Sequence, residues 1–306
     1  MTLSDLLDAL EGKREGREWR CRCPVHGGRS LFITEKDGRI LLTCRAGCPQ
    51  DSVIAELRDM GIWGNCGGQK IPAPPPAPDN KDDTERQRRI DRADDLWDEA
   101  TPIRDGDPVW LYLKNRGITL GSWPDDLRCH PALPYWSQDD AGKLLKIGTF
   151  PAMLAVVRNP EGRPVDLHRT YITSDGLKAP VTSPKKLYGV RPIQGGAVRL
   201  FHPMDGLLAV CEGIEDALSA LILWNIPTWA CLGTSGLMTF DPPEEVRELV
   251  IFADNDEPGK KAAWALADRM EETGRAVRVL APEDGSKDLN AYLLARRGAN
   301  MQEVTR

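Results

Sequence analysis

The chain lacks any apolar run long enough to cross a bilayer, which excludes a membrane-spanning helix of ordinary length. Its opening residues, MTLSDLLDALEGKREGREW, contain no apolar core of the signal-peptide kind, and their acidic side chains do not suit a transit peptide. A cytoplasmic location is the expectation that remains. No G-x-x-x-x-G-K-[ST] loop occurs, so no P-loop helicase motor is encoded. Eight cysteines in 306 residues are too few for a disulfide scaffold, and their clustering points instead to metal binding in a reducing compartment.

The net charge of −6 would argue against a nucleic-acid partner if it were spread evenly, but it is not. Residues 143–205 carry ten basic and only four acidic side chains, whereas residues 206–306 carry ten basic and seventeen acidic. A basic segment followed by an acidic one suits a phosphate-binding surface beside an acidic, metal-holding site.

The chain divides into blocks. Residues 1–66 hold Cys21, Cys23, Cys44 and Cys48, with Cys66 at the end. Residues 67–89 contain five prolines between Pro72 and Pro78 and then a dense charge run, the composition of an extended, solvated linker. Residues 90–205 begin with a helical pattern and continue as strands and turns, with NPEG (159–162) as a β-turn between two β-rich runs. Residues 206–306 alternate short apolar strands with helices, the pattern of βαβ units on a parallel sheet. The expected order is LLAVCE strand, IEDALSALILW helix, PTWACLG strand, PPEEVREL short helix, LVIFA strand, a long helix closed by Gly274, AVRVLAP strand and a final helix from SKDLN. The fold class is therefore multidomain α/β.

Two motifs carry chemistry. Cys23-x-x-His26 and Cys44-x-x-x-Cys48 flank a segment with strand alternation and a KDGR turn, the layout of a zinc ribbon. Three thiolates and one imidazole make a closed, structural Zn²⁺ site, with Cys21 as a spare. The second motif lies at predicted strand ends. Glu212 ends the first strand of the last block and is followed by Gly213, with Asp216 one turn on; Asp254 and Asp256 end the third; Asp288 and Asn290 start the final helix. In a parallel sheet these ends share one edge. Carboxylates so crowded stay ionised together only with a cation, and oxygen ligands select Mg²⁺ or Mn²⁺ over zinc. Glu212, Asp254 and Asp256 are the expected ligands. Asp288 either joins them or only caps its helix, Asp216 either touches metal or orients a neighbour, and Glu215 and Glu257 read as solvated helix-face residues.

The runs CEGIEDALSA, IFADNDEPGKKAAWALADRM and KDLNAYL resemble, over about 206–297, the three motifs of the Toprim fold, which is shared by DnaG-like primases, topoisomerases and some nucleases. The front block resembles the CHC2-type zinc ribbon of the same primases, departing from it with three residues rather than two between the last cysteines; the CRAGC form is similar to that of phage and plasmid members. The resemblance implies a ribbon that reads single-stranded DNA template, and Mg²⁺-dependent addition of NTPs at Glu212, Asp254 and Asp256, supported by Asp216 and Asp288. It implies phosphate contacts from the basic segment, for which Arg169, Lys178, Lys185, Lys186, Arg191 and Arg199 are the candidates. As the chain ends soon after the Toprim-like block, the expectation is either a separate replicative helicase recruited another way or work away from an ordinary fork. The expected activity is RNA primer synthesis in phage or plasmid replication. A Toprim nuclease, or a non-catalytic nucleic-acid-binding protein of a mobile element, is the alternative.

Overall fold

The computed structural model describes residues 3–15, 18–36, 39–63, 80–139 and 142–303. The chain forms two compact units, residues 1–85 with 136–145, and residues 86–135 with 146–306. The first carries α1 (Leu3–Ala9), β1 (Lys13–Glu15), β2 (Glu18–Cys21), β3 (Leu31–Lys36), β4 (Arg39–Cys44) and α2 (Gln50–Asp59). Its four strands form an antiparallel sheet in sequence order. Leu31 and Ile33 project from β3 into a small core with Leu6, Leu10, Val53 and Leu57, and Phe32 between them is buried as well. The core includes Cys21, Cys23 and Cys44.

The proline-rich part of the expected linker, residues 67–79, and Cys66 lie outside the described residues. The remainder, 80–89, is not extended: α3 (Asn80–Glu99) begins ten residues before the expected helical start. Charged side chains are good helix formers when free to face solvent, and the charge run there continues one helix rather than preceding it.

The second unit continues with β5 (Thr101–Pro102), α4 (Pro108–Asn115), β6 (Leu127–Gln138), β7 (Leu144–Arg158), β8 (Pro164–Tyr171), β9 (Lys185–Leu187) and β10 (Ala197–Val198). It is completed by β11 (Leu207–Cys211), α5 (Ile214–Trp224), β12 (Thr228–Ala230), α6 (Thr234–Thr239), β13 (Glu248–Phe252), α7 (Glu257–Glu272), β14 (Ala276–Leu280) and α8 (Leu289–Glu303). The NPEG turn joins β7 to β8, with Gly162 N donating to Asn159 O at 2.9 Å.

One ten-stranded sheet runs β14-β13-β11-β12-β10-β7-β6-β5, with β8 pairing β7 and β9 pairing β8. The pairs β11–β12, β11–β13 and β13–β14 are parallel, as the strand–helix alternation predicts. β10 turns antiparallel against β12 and continues the sheet into the preceding block. One buried cluster accordingly combines Val109, Leu113, Met153 and Val157 with Ala209, Cys211, Leu218 and Leu293. No helix among the described residues is long and apolar enough to cross a membrane.

One expected helix is absent. PPEEVREL does not form a helix, whereas TSGLMT, eight residues earlier, forms α6. The segment turns at Glu244–Glu245, and its last two residues, Glu248 and Leu249, already belong to β13. Gly236 lets α6 approach the preceding strand: a Cβ on it would stand 1.8 Å from Cys231 O. Gly236→Ala is expected to destabilise the second unit by about 2–3 kcal/mol, whereas Gly121→Ala, with open space around it, should stay within about 0.5 kcal/mol of the parent. Urea unfolding followed by tryptophan fluorescence measures both.

Candidate functional sites

In the first unit, the candidate ligand atoms of Cys23, His26, Cys44 and Cys48 all lie within 4.8 Å of one another. β3 and β4 place the two pairs together, with Leu31 opposite Cys44 across the hairpin. His26 Nε2 is 3.3 Å from Cys44 Sγ, and Gly28 N donates to His26 Nδ1 at 3.1 Å, which fixes the ring. The crowded sulfurs influence one another. A hydrogen bond from Cys23 and others from His26 and Ser30 hold the Cys44 thiol far below its ordinary value, while the hydrogen bond to Cys44 and burial drive Cys23 up. Burial pushes Cys48 up to about 11. Three sulfurs and one imidazole at this spacing fit a tetrahedral Zn²⁺. Cys21 is buried beside the quartet but outside it.

The second site forms where β11, β12 and β13 end. A cavity of about 470 Å³ is lined by Glu212, Glu215, Asp216 and Asp254, by Asp288 and Asn290 from the start of α8, and by Leu232 and Gly233 after β12. The opposite wall comes from the preceding block: Arg116 after α4, His168 on β8, Lys178 in the turn beyond it, and Lys185 and Lys186 on β9; Lys287 completes it.

Burial, with acid–acid crowding added to it, raises the carboxyls of the first wall. Burial, then the charges of Asp254, Asp256 and Asp216, push the Glu212 carboxyl up to about 7. Burial, then Asp288, push Asp216 to about 7, although it accepts from Asn290 N at 2.9 Å. Burial, then Asp288 and Asp256, push Asp254 to about 6. Gly213 is required beside these groups, because a Cβ there would meet Asp216 Oδ2 at 2.3 Å.

The expected ligand set does not close as expected. Among the described residues, the Cys/His quartet is the one group of three or more candidate ligands gathered within 4.8 Å; Glu212, Asp254 and Asp256 are not. Asp256 is the N-cap of α7 and its Oδ1 accepts from Gly259 N at 2.8 Å, so the strand rule that sends positions i and i+2 the same way stops where the helix begins. Asp288 caps α8, accepting from Ala291 N at 2.8 Å, and still lines the cavity.

Of the six expected phosphate contacts, Lys178, Lys185 and Lys186 line this cavity, while Arg169, Arg191 and Arg199 do not. Arg169 donates to Leu187 O at 2.8 Å and lies over the Tyr188 ring. Arg199 donates to the carbonyls of Asn159 and Pro160 at 2.7 Å and lies over Trp229. Arg191 borders a separate groove near Trp97 and Val190. Tyr171 is buried in the core.

Glu215 overturns the solvated reading. It is 3% exposed; its carboxylate accepts from the Tyr112 hydroxyl at 2.5 Å and pairs with Lys185 Nζ at 2.7 Å. Burial alone would raise it, but Lys185 and Tyr112 outweigh burial and hold it at about 2. The signal was present in the sequence: IEDALSALILW is apolar nearly all round, and such a helix is buried. Every residue from Ile214 to Ala220 is buried. Arg116, His168 and Lys287 had no local signal.

Residues 87–200 match a domain of unknown function, DUF7146, and residues 207–299 match the Toprim domain. Residues 207–299 are a Toprim domain. The acidic wall, with Glu212, Asp216, Asp254 and Asp288, comes from this Toprim domain, whereas Lys178, Lys185 and Lys186 come from the DUF7146 match. Among solved structures, the chain is similar to a DNA primase domain from Pseudomonas aeruginosa (16% identity, TM-score 0.44, 72% of this chain and 78% of that one). It is also similar to the zinc-binding and RNA polymerase domains of the Aquifex aeolicus primase (13%, 0.40, 99% and 82%). A third likeness is to the RNA polymerase domain of the Mycobacterium tuberculosis primase DnaG (14%, 0.40, 70% and 82%). No curated protein matches the chain.

Two outcomes follow from this geometry. The purified chain should carry one zinc per molecule by plasma mass spectrometry; Cys44→Ser should lose it and Cys21→Ala should keep it. Carboxyls raised toward 6–7 hold protons near neutrality, and a divalent cation must displace them. The rise in melting temperature on adding Mg²⁺ should therefore grow between pH 6 and pH 8, and shrink in Glu212→Gln.

Proposed function

We propose that the chain is a primase, a nucleotidyltransferase that builds short RNA primers on single-stranded DNA from NTPs during replication of a phage or plasmid genome, beside a separate helicase. The observation that carries this reading is one cavity in which desolvated carboxylates of a Toprim domain face four lysines and an arginine. A cleft with both signs suits a substrate that is an anion bearing its own cations.

The donor set fits a divalent cation, since the carboxyls are all-oxygen, partly desolvated and raised by mutual repulsion. Glu212 and Asp254 would hold Mg²⁺ or Mn²⁺, with Asp256 beside them. Such an ion, when bound, neutralises charge on the phosphate oxygens and makes a hydroxyl more acidic. The protein's own groups do the rest. Arg116, Lys178, Lys185, Lys186 and Lys287 bind the triphosphate, their charges offsetting it before any bond changes. The 3′ hydroxyl oxygen then bonds to the α-phosphorus as its proton passes to solvent water, the bond to pyrophosphate breaks, and the lysines retain the leaving anion. Asn290 steadies the acidic wall: its backbone N–H donates to Asp216 and its side chain exchanges hydrogen bonds of 2.8 Å with Arg116. The zinc-binding unit would supply template contacts, a role that rests on its resemblance to the CHC2-type zinc ribbon of primases.

The test is incubation of the full chain with single-stranded DNA, labelled ribonucleotides and Mg²⁺, with products resolved by size. Oligoribonucleotides are expected, reduced at least about a hundredfold in Asp254→Asn. Shortened DNA without nucleotide addition would replace this reading with a nuclease. Salt-sensitive DNA binding without any product would replace it with a binding protein.

A further inference from the structure

Glu215 is a buried carboxylate of the cavity that pairs directly with a cation, Lys185. It opens α5 immediately after Ile214, and it joins three elements that are distant in sequence: Tyr112 on α4, Lys185 on β9 and its own helix. β9 is three residues long and pairs only with β8, so it is an edge strand. A lysine on such a strand has four flexible side-chain bonds and no intrinsic direction. The Lys185 side chain is 39% exposed, yet its Nζ lies 2.7 Å from Glu215 Oε2 and the residue lines the cavity. An ammonium has three donors, and Glu215 takes one, leaving others for an anion.

The pair is part of a longer chain of contacts. Tyr112, which donates to Glu215, lies under the Arg116 guanidinium, 5.1 Å from ring centre to carbon. Arg116 donates to Asn290 Oδ1 at 2.8 Å, and Asn290 N donates to Asp216. The basic wall and the acidic wall are thereby tied together by side chains.

We propose that Glu215 is a positioning residue, which through Lys185 fixes one point at which the polyphosphate of a nucleoside triphosphate is gripped. The identity of the ligand rests on the nucleotidyl-transfer reading; the pairing does not. A role confined to fastening β9 to α5 makes a different prediction, because a buried ion pair can be exchanged for a neutral pair of similar volume without loss of stability, whereas removing one partner is strongly destabilising.

The experiment uses the zinc-loaded full chain, with ATP affinity measured by titration calorimetry in Mg²⁺ and stability by thermal melting. Lys185→Met should lower the melting temperature and weaken ATP binding about tenfold or more. Glu215→Gln retains volume and an acceptor for Tyr112. It should weaken ATP to a similar extent, raising the KM for ATP more than it lowers kcat. The double variant Lys185→Met/Glu215→Gln should regain the melting temperature and leave ATP binding as weak as in Lys185→Met alone. Recovery of ATP affinity together with stability would overturn the proposal, as would parental ATP binding in Glu215→Gln or no ATP binding by the parent chain. If the variants behave as expected and the parent makes no primers, the polymerisation reading falls and the positioning role of Glu215 stands.

Discussion

Burial of several carboxyl groups together at one edge of a parallel sheet is the constraint on which the second unit turns. β11 and β13 are adjacent and parallel, so the residues that follow them emerge side by side: Glu212 follows β11 directly and Asp254 follows β13 after Ala253. Asp216 joins them from the first turn of α5, and Asp288 from the cap of α8. None of these groups has an intramolecular cation as close as Glu215 has in Lys185, and each of Glu212, Asp216 and Asp254 is pushed up into the range of 6–7. A hydrophobic sheet edge would be more stable with neutral residues there. A divalent cation, in the function proposed above, would turn the same crowding into affinity.

The charge asymmetry along the chain resolves as two walls of one cavity. The acidic excess after residue 205 supplies the sheet edge, and the basic excess before it supplies β9 and the turn at Lys178. Two blocks that differ in sign in the sequence meet in space because β10 pairs with both β7 and β12. The sign of each block thus bears on function rather than fold.

How far the sequence alone reached follows from the range of each physical rule. Strand and helix alternation after residue 206 is a local pattern, and it was legible almost throughout; PPEEVREL is the exception because Glu248 and Leu249 already belong to β13, which leaves too few residues for a helix. The ribbon ligands were legible because a single ion demands close pairs. Glu212 and Asp254 were legible as the residues ending strands. Arg169, Arg191 and Arg199 were not separable from Lys178, Lys185 and Lys186, because all six share one charge and their partners, backbone carbonyls and aromatic rings, are set by tertiary packing. Glu215 was missed although its helix was legible: the apolar composition of that helix indicated burial on every side, which a charged residue in its first turn survives only with a partner distant in sequence.

The continuity of the sheet has a further consequence for how the cavity works. Lys185 and Glu212 belong to different sequence blocks, but β8 and β9 extend from β7, β7 from β10, and β10 from β12 beside β11. Buried residues of both blocks share one core. A close-packed core resists the sliding that would separate the two walls. Cations and carboxylates that face each other across such a cavity are placed before any ligand arrives, so little reorganisation is needed when charge on a substrate shifts. Side-chain links such as Arg116–Asn290 and Lys185–Glu215 then fix the terminal atoms that backbone rigidity alone leaves free. The sheet sets the distance between the walls, and the ion pair sets the direction of the lysine that spans it.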